Sequence, residues 1–144
     1  MPKAVTGCRP TSAAVFITIP SGYEVSADGV FPRFWAALEA PAKEVERHDF
    51  ALTKVDNDRH VMLAVTDIHL SNQNSDIEQF CTRFIPDVRA VAESFGDTPV
   101  YSLNMGDSAW DGYWYTNRYS LKDFRRTMNI VGYPAQMFCA MGNH

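Results

Sequence analysis

Three things are scarce in this sequence of 144 residues. Cysteine is the first. Cys8, Cys81 and Cys139 are an odd number, and no two stand close together. That spacing excludes a disulfide framework and a zinc knuckle. Cys81 and Cys139 sit among apolar neighbours and read as small core residues, and a bridge between any two stays open. Long apolar runs are the second scarcity. No run reaches the roughly 20 residues that a membrane helix needs. The first residues, Met-Pro-Lys-Ala-Val-Thr-Gly-Cys, lack the apolar core of a signal peptide. Positive charge is the third. Lys and Arg total 13 against 17 Asp and Glu, for a net charge of −4. That balance offers no electrostatic case for nucleic acid or an anionic membrane as partner. Repeats and low-complexity segments are absent as well.

What remains is folding material. The chain is 46% hydrophobic and 21% charged, a globular composition and not a disordered one. Its length allows one ordinary domain or two small ones. The first half carries β signatures. Ala13–Pro20 is β-branched, aromatic and closed by a proline, and Ser21-Gly22 marks a turn. Tyr23–Val30 holds a short strand with Asp28-Gly29 as a turn. Phe31–Ala42 reads as an aromatic-rich loop, because Pro32 and Pro41 interrupt it. Its Phe31, Phe34 and Trp35 read as core or interdomain contacts. Within Lys43–Val55, Phe50 and Leu52 alternate as the inward face of a half-buried strand. The polar run Asp56-Asn57-Asp58 is the best boundary, dividing 1–57 from 58–144.

After the boundary the pattern changes to alternating strands and helices. Val61–Val65 is a continuous apolar run, suited to a strand buried on both faces. Ser75 or Asp76 caps a helix whose apolar face runs from Ile77 to Ala92. Pro86 predicts a kink or break near Thr82–Phe84. Gly96 ends that helix. Pro99–Met105 is a second strand. Ser120 caps a second helix, buried through Leu121, Phe124, Met128 and Val131. Arg125 and Arg126 could meet phosphate, but a solvent-facing helix position suits them better. Gln136–Met141 is a third strand, and Met105, Met137 and Met141 read as core filler. Strand–helix–strand–helix–strand at this pitch implies a parallel sheet whose strands end at one edge. The expected class is therefore α/β: a partial, sandwich-like β segment followed by a βαβαβ parallel-sheet half. An open sheet edge of that kind invites self-association.

Each of those strands runs into a polar cluster: Asp67-Ile68-His69, Gly106-Asp107 and Gly142-Asn143-His144. Asp-x-His alone is common, and its plain reading is a capping Asp and a solvated His. Three such clusters at equivalent strand ends are harder to ascribe to accident. Residues two apart in extended chain point the same way, so Asp67 and His69 would reach one point past the strand, where open α/β sheets bind ligands. A carboxylate and an imidazole there make half of a divalent-metal site. Asp107, on the middle strand in sequence, is placed to bridge two ions. Asn143 offers a neutral amide oxygen, and Gly106 and Gly142 allow close backbone approach. A dinuclear centre supplies hydroxide near neutral pH, and His144 could hold a proton for a leaving oxygen. Trp110, Tyr113, Trp114 and Tyr115 either line a cleft beside the metals or pack across their own loop.

The order Asp-x-His, Gly-Asp-x-x-x-Asp, Gly-Asn-His resembles the calcineurin-like metallophosphoesterase superfamily over about Arg59 to His144. The resemblance implies Asp67 and His69 on the first metal, Asp107 bridging, Asn143 on the second, and His144 against the phosphoryl or leaving oxygen. Asp111 fits the second acidic position, one residue later than the commonest spacing, and would support the ligands from behind. The implied cofactors are two divalent ions of the Mn, Fe or Zn class, and the implied partner is a small phosphate ester. The first half is more weakly similar to the β-sandwich of exported bacterial members, which implies a periplasmic or surface location. The family's later histidines do not occur here, and the first half is short of strands for a complete sandwich; together these imply a fragment cut at both ends, with weak metal binding and little or no turnover. The rival reading is a non-catalytic interaction module whose metal loops are vestigial.

Overall fold

In a computed structural model, residues 13–39, 44–110 and 118–142 are described. The fold is mixed α/β. Six short strands come first: β1 (Ala14–Phe16), β2 (Tyr23–Val25), β3 (Ala27–Asp28), β4 (Phe31–Pro32), β5 (Trp35–Ala37) and β6 (Leu52–Lys54). They pair as three antiparallel ladders, β1 with β5, β2 with β6 and β3 with β4. Strands β7 (Val61–Val65), β8 (Val100–Asn104) and β9 (Gln136–Cys139) form the expected parallel sheet in the order β7-β8-β9. All three therefore deliver their following loops to the same edge.

Helices join these strands. The first connection runs through α1 (Asp76–Gln79), a π-helical turn over Phe80–Phe84, and α2 (Ile85–Glu93). The Pro86 expectation is answered by a widened turn, not a break. Proline has no N–H to give the residue four back, and in this stretch the N–H of Ile85 reaches back five residues to the Phe80 carbonyl. The second connection ends in α3 (Leu121–Val131). Its start is fixed by Asp123, whose carboxylate accepts the Ser120 N–H at 2.8 Å and the Ser120 hydroxyl at 2.7 Å. Those bonds hold the Asp123 carboxyl below its ordinary range. Its end is Gly132 at φ 58°, a left-handed stop that glycine adopts freely.

The core lies between the helices and one sheet face. Phe124, Met128 and Met137 are its least exposed large side chains, and Phe80, Ile85 and Tyr133 join them. Val30 and Phe31, from before the Asp56–Asp58 run, belong to the same cluster. Two clips reinforce that union. The Met137 N–H donates to the Val30 carbonyl, and the Val30 N–H donates to Asn129 Oδ1 on α3 at 2.9 Å. Asn57, in the presumed linker, accepts the Gly22 N–H and donates to the Tyr101 hydroxyl.

Several sequence expectations need correction. β7 is not buried on both faces. Met62 is 47% exposed and Ala64 is open, because the helices cover one face and the early ladders reach only part of the other. Phe31–Ala42 is not simply a loop. It contains β4 and β5, with Pro32 tolerated in a two-residue strand paired on Ala27. β6 is exposed throughout, Leu52 included. Leu121 is 62% exposed, Met141 is almost wholly exposed, and Cys139 is exposed and a thiol. Trp35 is half exposed, whereas Phe31 is buried as expected.

Candidate metal centre

The loops after β7 and β8 do not diverge at the sheet edge. They stay zipped by backbone hydrogen bonds. The Met105 N–H donates to the Val65 carbonyl at 2.8 Å, the His69 N–H to the Asp107 carbonyl at 2.8 Å, and the Leu70 N–H to the Ser108 carbonyl at 3.0 Å. Leu70 and Ala109 then form an isolated parallel bridge. This continuation lays Asp67 and His69 alongside Asp107. One ligand atom from each of the three lies within 4.8 Å of the others.

The expected reason for this meeting was extended alternation, and the structure replaces it. Asp67 has φ 52°, His69 has φ 44° and Asp107 has φ 51°. The chain is therefore bent left-handed at all three positions, a conformation that Asp and His tolerate better than most residues but that still carries strain. The bends, not the pleat, turn the side chains together.

Hydrogen bonds orient the parts. The Thr66 hydroxyl donates to Asp67 Oδ2 at 2.6 Å, while Asp67 Oδ1 stands 3.6 Å from His69 Nε2. Asp107 Oδ2 stands 3.9 Å from the same nitrogen. Both separations exceed a hydrogen bond. At the roughly 2.1 Å bond length of a zinc-class ion, ligand atoms in a tetrahedron stand about 3.4 Å apart, so these two pairs are within about half an ångström of sharing an ion. The donor set is one imidazole and two carboxylates, which suits a borderline or hard divalent cation. A cation would also offset the repulsion between Asp67 and Asp107, the latter only 7% exposed. The residues present thus fit one divalent ion. The Trp110 ring lies 4.8 Å from the His69 ring, centre to centre, and walls that side.

Two further contacts shape the loop. Asn104, fully buried at the end of β8, accepts the Gly106 N–H on Oδ1 at 2.9 Å and donates from Nδ2 to Ser108 Oγ at 2.8 Å. It bends the chain so that Asp107 projects from the sheet edge. Within the expected strand Pro99–Met105, nothing in the apolar pattern sets Asn104 apart. An amide two positions before a glycine is an Asx-turn pattern that could have exposed it. Gly106 and Gly142 bring the loops after β8 and β9 into contact. A Cβ on Gly106 would lie 2.4 Å from the Cα of Gly142, so the two loops touch backbone to backbone. A Cβ on Gly142 would strike Asp107 Oδ1, so the loop after β9 passes directly beside the central carboxylate.

Of the site residues expected from sequence, Asp67, His69 and Asp107 come together. Asp111, Asn143 and His144 lie outside the described residues, as do Tyr113, Trp114 and Tyr115. Comparison with known proteins finds no family model, no curated protein and no solved structure that matches this chain.

Proposed function

We propose that this chain carries the metal-binding edge of a metal-dependent phosphoesterase, with a half-fold like that of the calcineurin-like enzymes. The convergence of Asp67, His69 and Asp107 at the ends of adjacent parallel strands carries this reading. When bound, divalent ions would supply Lewis-acid polarisation of a phosphoryl oxygen and hydroxide near neutral pH. Asp67 and His69 would hold the first ion, with Asp67 oriented by the Thr66 hydroxyl and His69 by its backbone bond to Asp107. Asp107 faces His69 through Oδ2 and Gly142 through Oδ1, so one carboxylate serves two directions, as a bridging ligand must. On this reading Asn143, next after Gly142, adds an amide oxygen for the second ion. His144 holds the proton that the leaving oxygen takes, and Asp111 supports the ligands.

Thermal melting with manganese or zinc at millimolar concentration tests the site. An ion at about 100 times its Kd adds roughly 2.7 kcal/mol of stability. At roughly 2–4 °C per kcal/mol for a chain near this size, the melting temperature should rise by several degrees. Asp107→Asn should abolish the rise. Inorganic phosphate should then bind the metal-loaded chain and not the metal-free one. A chain that takes no divalent ion favours the rival reading, an interaction module with vestigial metal loops. One that takes an ion but no phosphate is a metal protein without phosphoesterase chemistry.

A further inference from the structure

A cavity of about 330 Å³ opens beside Asp107, on the Gly142 side of the carboxylate and between the early strands and the start of α3. Its walls are Phe31, Phe34, Trp35 and Leu121, with Arg125 as the cation among them. The lining is largely apolar, with Phe124 beside Leu121 on the helix, and it reaches the same carboxylate that faces His69. Arg125 is not simply solvated. Its guanidinium carbon sits 4.9 Å from the centre of the Phe31 ring, so a planar cation rests on a buried aromatic. Two features in the fold hold this surface in place. Phe31 belongs to the core, and Asn129 on the same helix as Arg125 clips the neighbouring Val30. Leu121 and Trp35 are 62% and 47% exposed, an arrangement that leaves apolar area at the mouth of a cleft instead of in the core.

We infer that this cleft binds the alcohol portion of the substrate, and that the preferred substrates are phosphate esters of aromatic alcohols. The inference rests on the metal-site reading above. The phosphoryl group would stand at Asp107, and the ring would enter between Trp35 and Arg125. The Arg125 guanidinium over Phe31 is a planar cation in the cavity lining, and such a group attracts the π-surface of an aromatic ring and not an alkyl chain. The volume falls at the low end of small-molecule sites, which suits a single ring system better than a lipid or a polymer.

Two non-hydrolysable probes separate the parts: phenylphosphonate and methylphosphonate, titrated calorimetrically into the chain with manganese present. They share the phosphonate head and differ in the ring. The wild-type chain should bind phenylphosphonate about tenfold more tightly, the scale of one aromatic contact plus one cation–π contact. Trp35→Ala and Arg125→Ala should each cut that ratio to about threefold or less. Both residues are exposed enough for the variants to fold, and their circular dichroism should match the wild type. Arg125→Lys, which keeps the charge and loses the plane, should recover only part of the ratio. Equal affinity for the two probes in a chain that manganese still stabilises overturns the cleft and leaves the metal site standing. A full ratio in Arg125→Ala and Trp35→Ala overturns it as well. A chain that manganese does not stabilise, and in which Asp107→Asn changes nothing, removes both proposals.

Discussion

Replacing Gly106 with alanine should separate the three loops at the sheet edge. Gly106 has φ 114°, where an alanine carries about 1–3 kcal/mol of backbone strain. The added methyl would lie 2.4 Å from the Cα and N of Gly142 and 3.0 Å from the Met141 carbonyl carbon. Carbon contacts settle near 3.5–4.0 Å, so the loops after β8 and β9 must part by about 1 Å. The obstacle is backbone on both sides, and no rotamer change relieves it. Overpacking of this kind costs about 1–3 kcal/mol by itself. The sum is about 3 kcal/mol or more, which for a chain near this size lowers the melting temperature by roughly 6–12 °C. Gly96→Ala is the control. Gly96 has φ 59° with nothing within 4 Å of its Cβ direction, so only the left-handed penalty of about 1–2 kcal/mol applies. Urea titration followed by circular dichroism measures both. Gly106→Ala should also lose the manganese-induced rise in melting temperature, because parting the loops displaces the Asp107 carboxylate that lies against Gly142, while Gly96→Ala should keep it. Equal destabilisation in the two variants, or an intact manganese response in Gly106→Ala, refutes the close packing of Gly106 on Gly142.

Other consequences are open to measurement. Met128 is 0% exposed at the centre of the core, so Met128→Ala should cost about 2–5 kcal/mol; Ile130→Ala, one turn-face away at 72% exposure, should stay within about 0.5 kcal/mol in the same urea titration. Burial pushes the Tyr119 phenol up to about 12, opposed by the hydrogen bond it donates to Thr127. An unfolded tyrosine ionises near pH 10, so between pH 10 and about 12 the unfolded chain sheds a proton that the folded chain keeps. Tyr119 therefore contributes its full stabilisation below pH 10, and that contribution is lost as pH rises through about 12. Tyr119→Phe should flatten the fall in melting temperature over that window, and an unchanged slope would show that Tyr119 titrates normally.

The second half was legible because its rules are local. An apolar run, a capping serine and a terminal glycine specify β7, α3 and its end without knowledge of distant partners. Pro86 was legible for the same reason, although its effect was a wider turn and not a break. The first half was less so. β1 finds its partner 19 to 23 residues on, at Trp35–Ala37, and β2 finds its partner at Leu52–Lys54. No periodicity within two- or three-residue strands announces such pairings. The inward face assigned to Leu52 failed because β6 pairs at an open surface and not over the core. Arg125 was read as solvated because helical spacing says nothing about a phenylalanine delivered from 94 residues away.

At the candidate site, Asp67, His69 and Asp107 come together as the sequence suggested, but for a reason the backbone does not follow. Had Asp67 and His69 continued the strand, alternation alone would have aligned them, at no conformational cost. Instead three of the described non-glycine residues with positive φ are Asp67, His69 and Asp107. Each such residue costs on the order of 1–3 kcal/mol unless its surroundings compensate. The compensation is visible: paired backbone bonds from His69 to Asp107 and from Leu70 to Ser108, the Asn104 amide across the Gly106 turn, and Gly142 pressed against Asp107. A loop that only needed to leave the sheet would have no use for these bends. Here they bring two carboxylates together against their repulsion, beside an imidazole and at the mouth of an aromatic cleft. Strain and like charge are thus concentrated at the same few atoms, and a divalent ion is the ligand that would relieve the charge while leaving the bends in place.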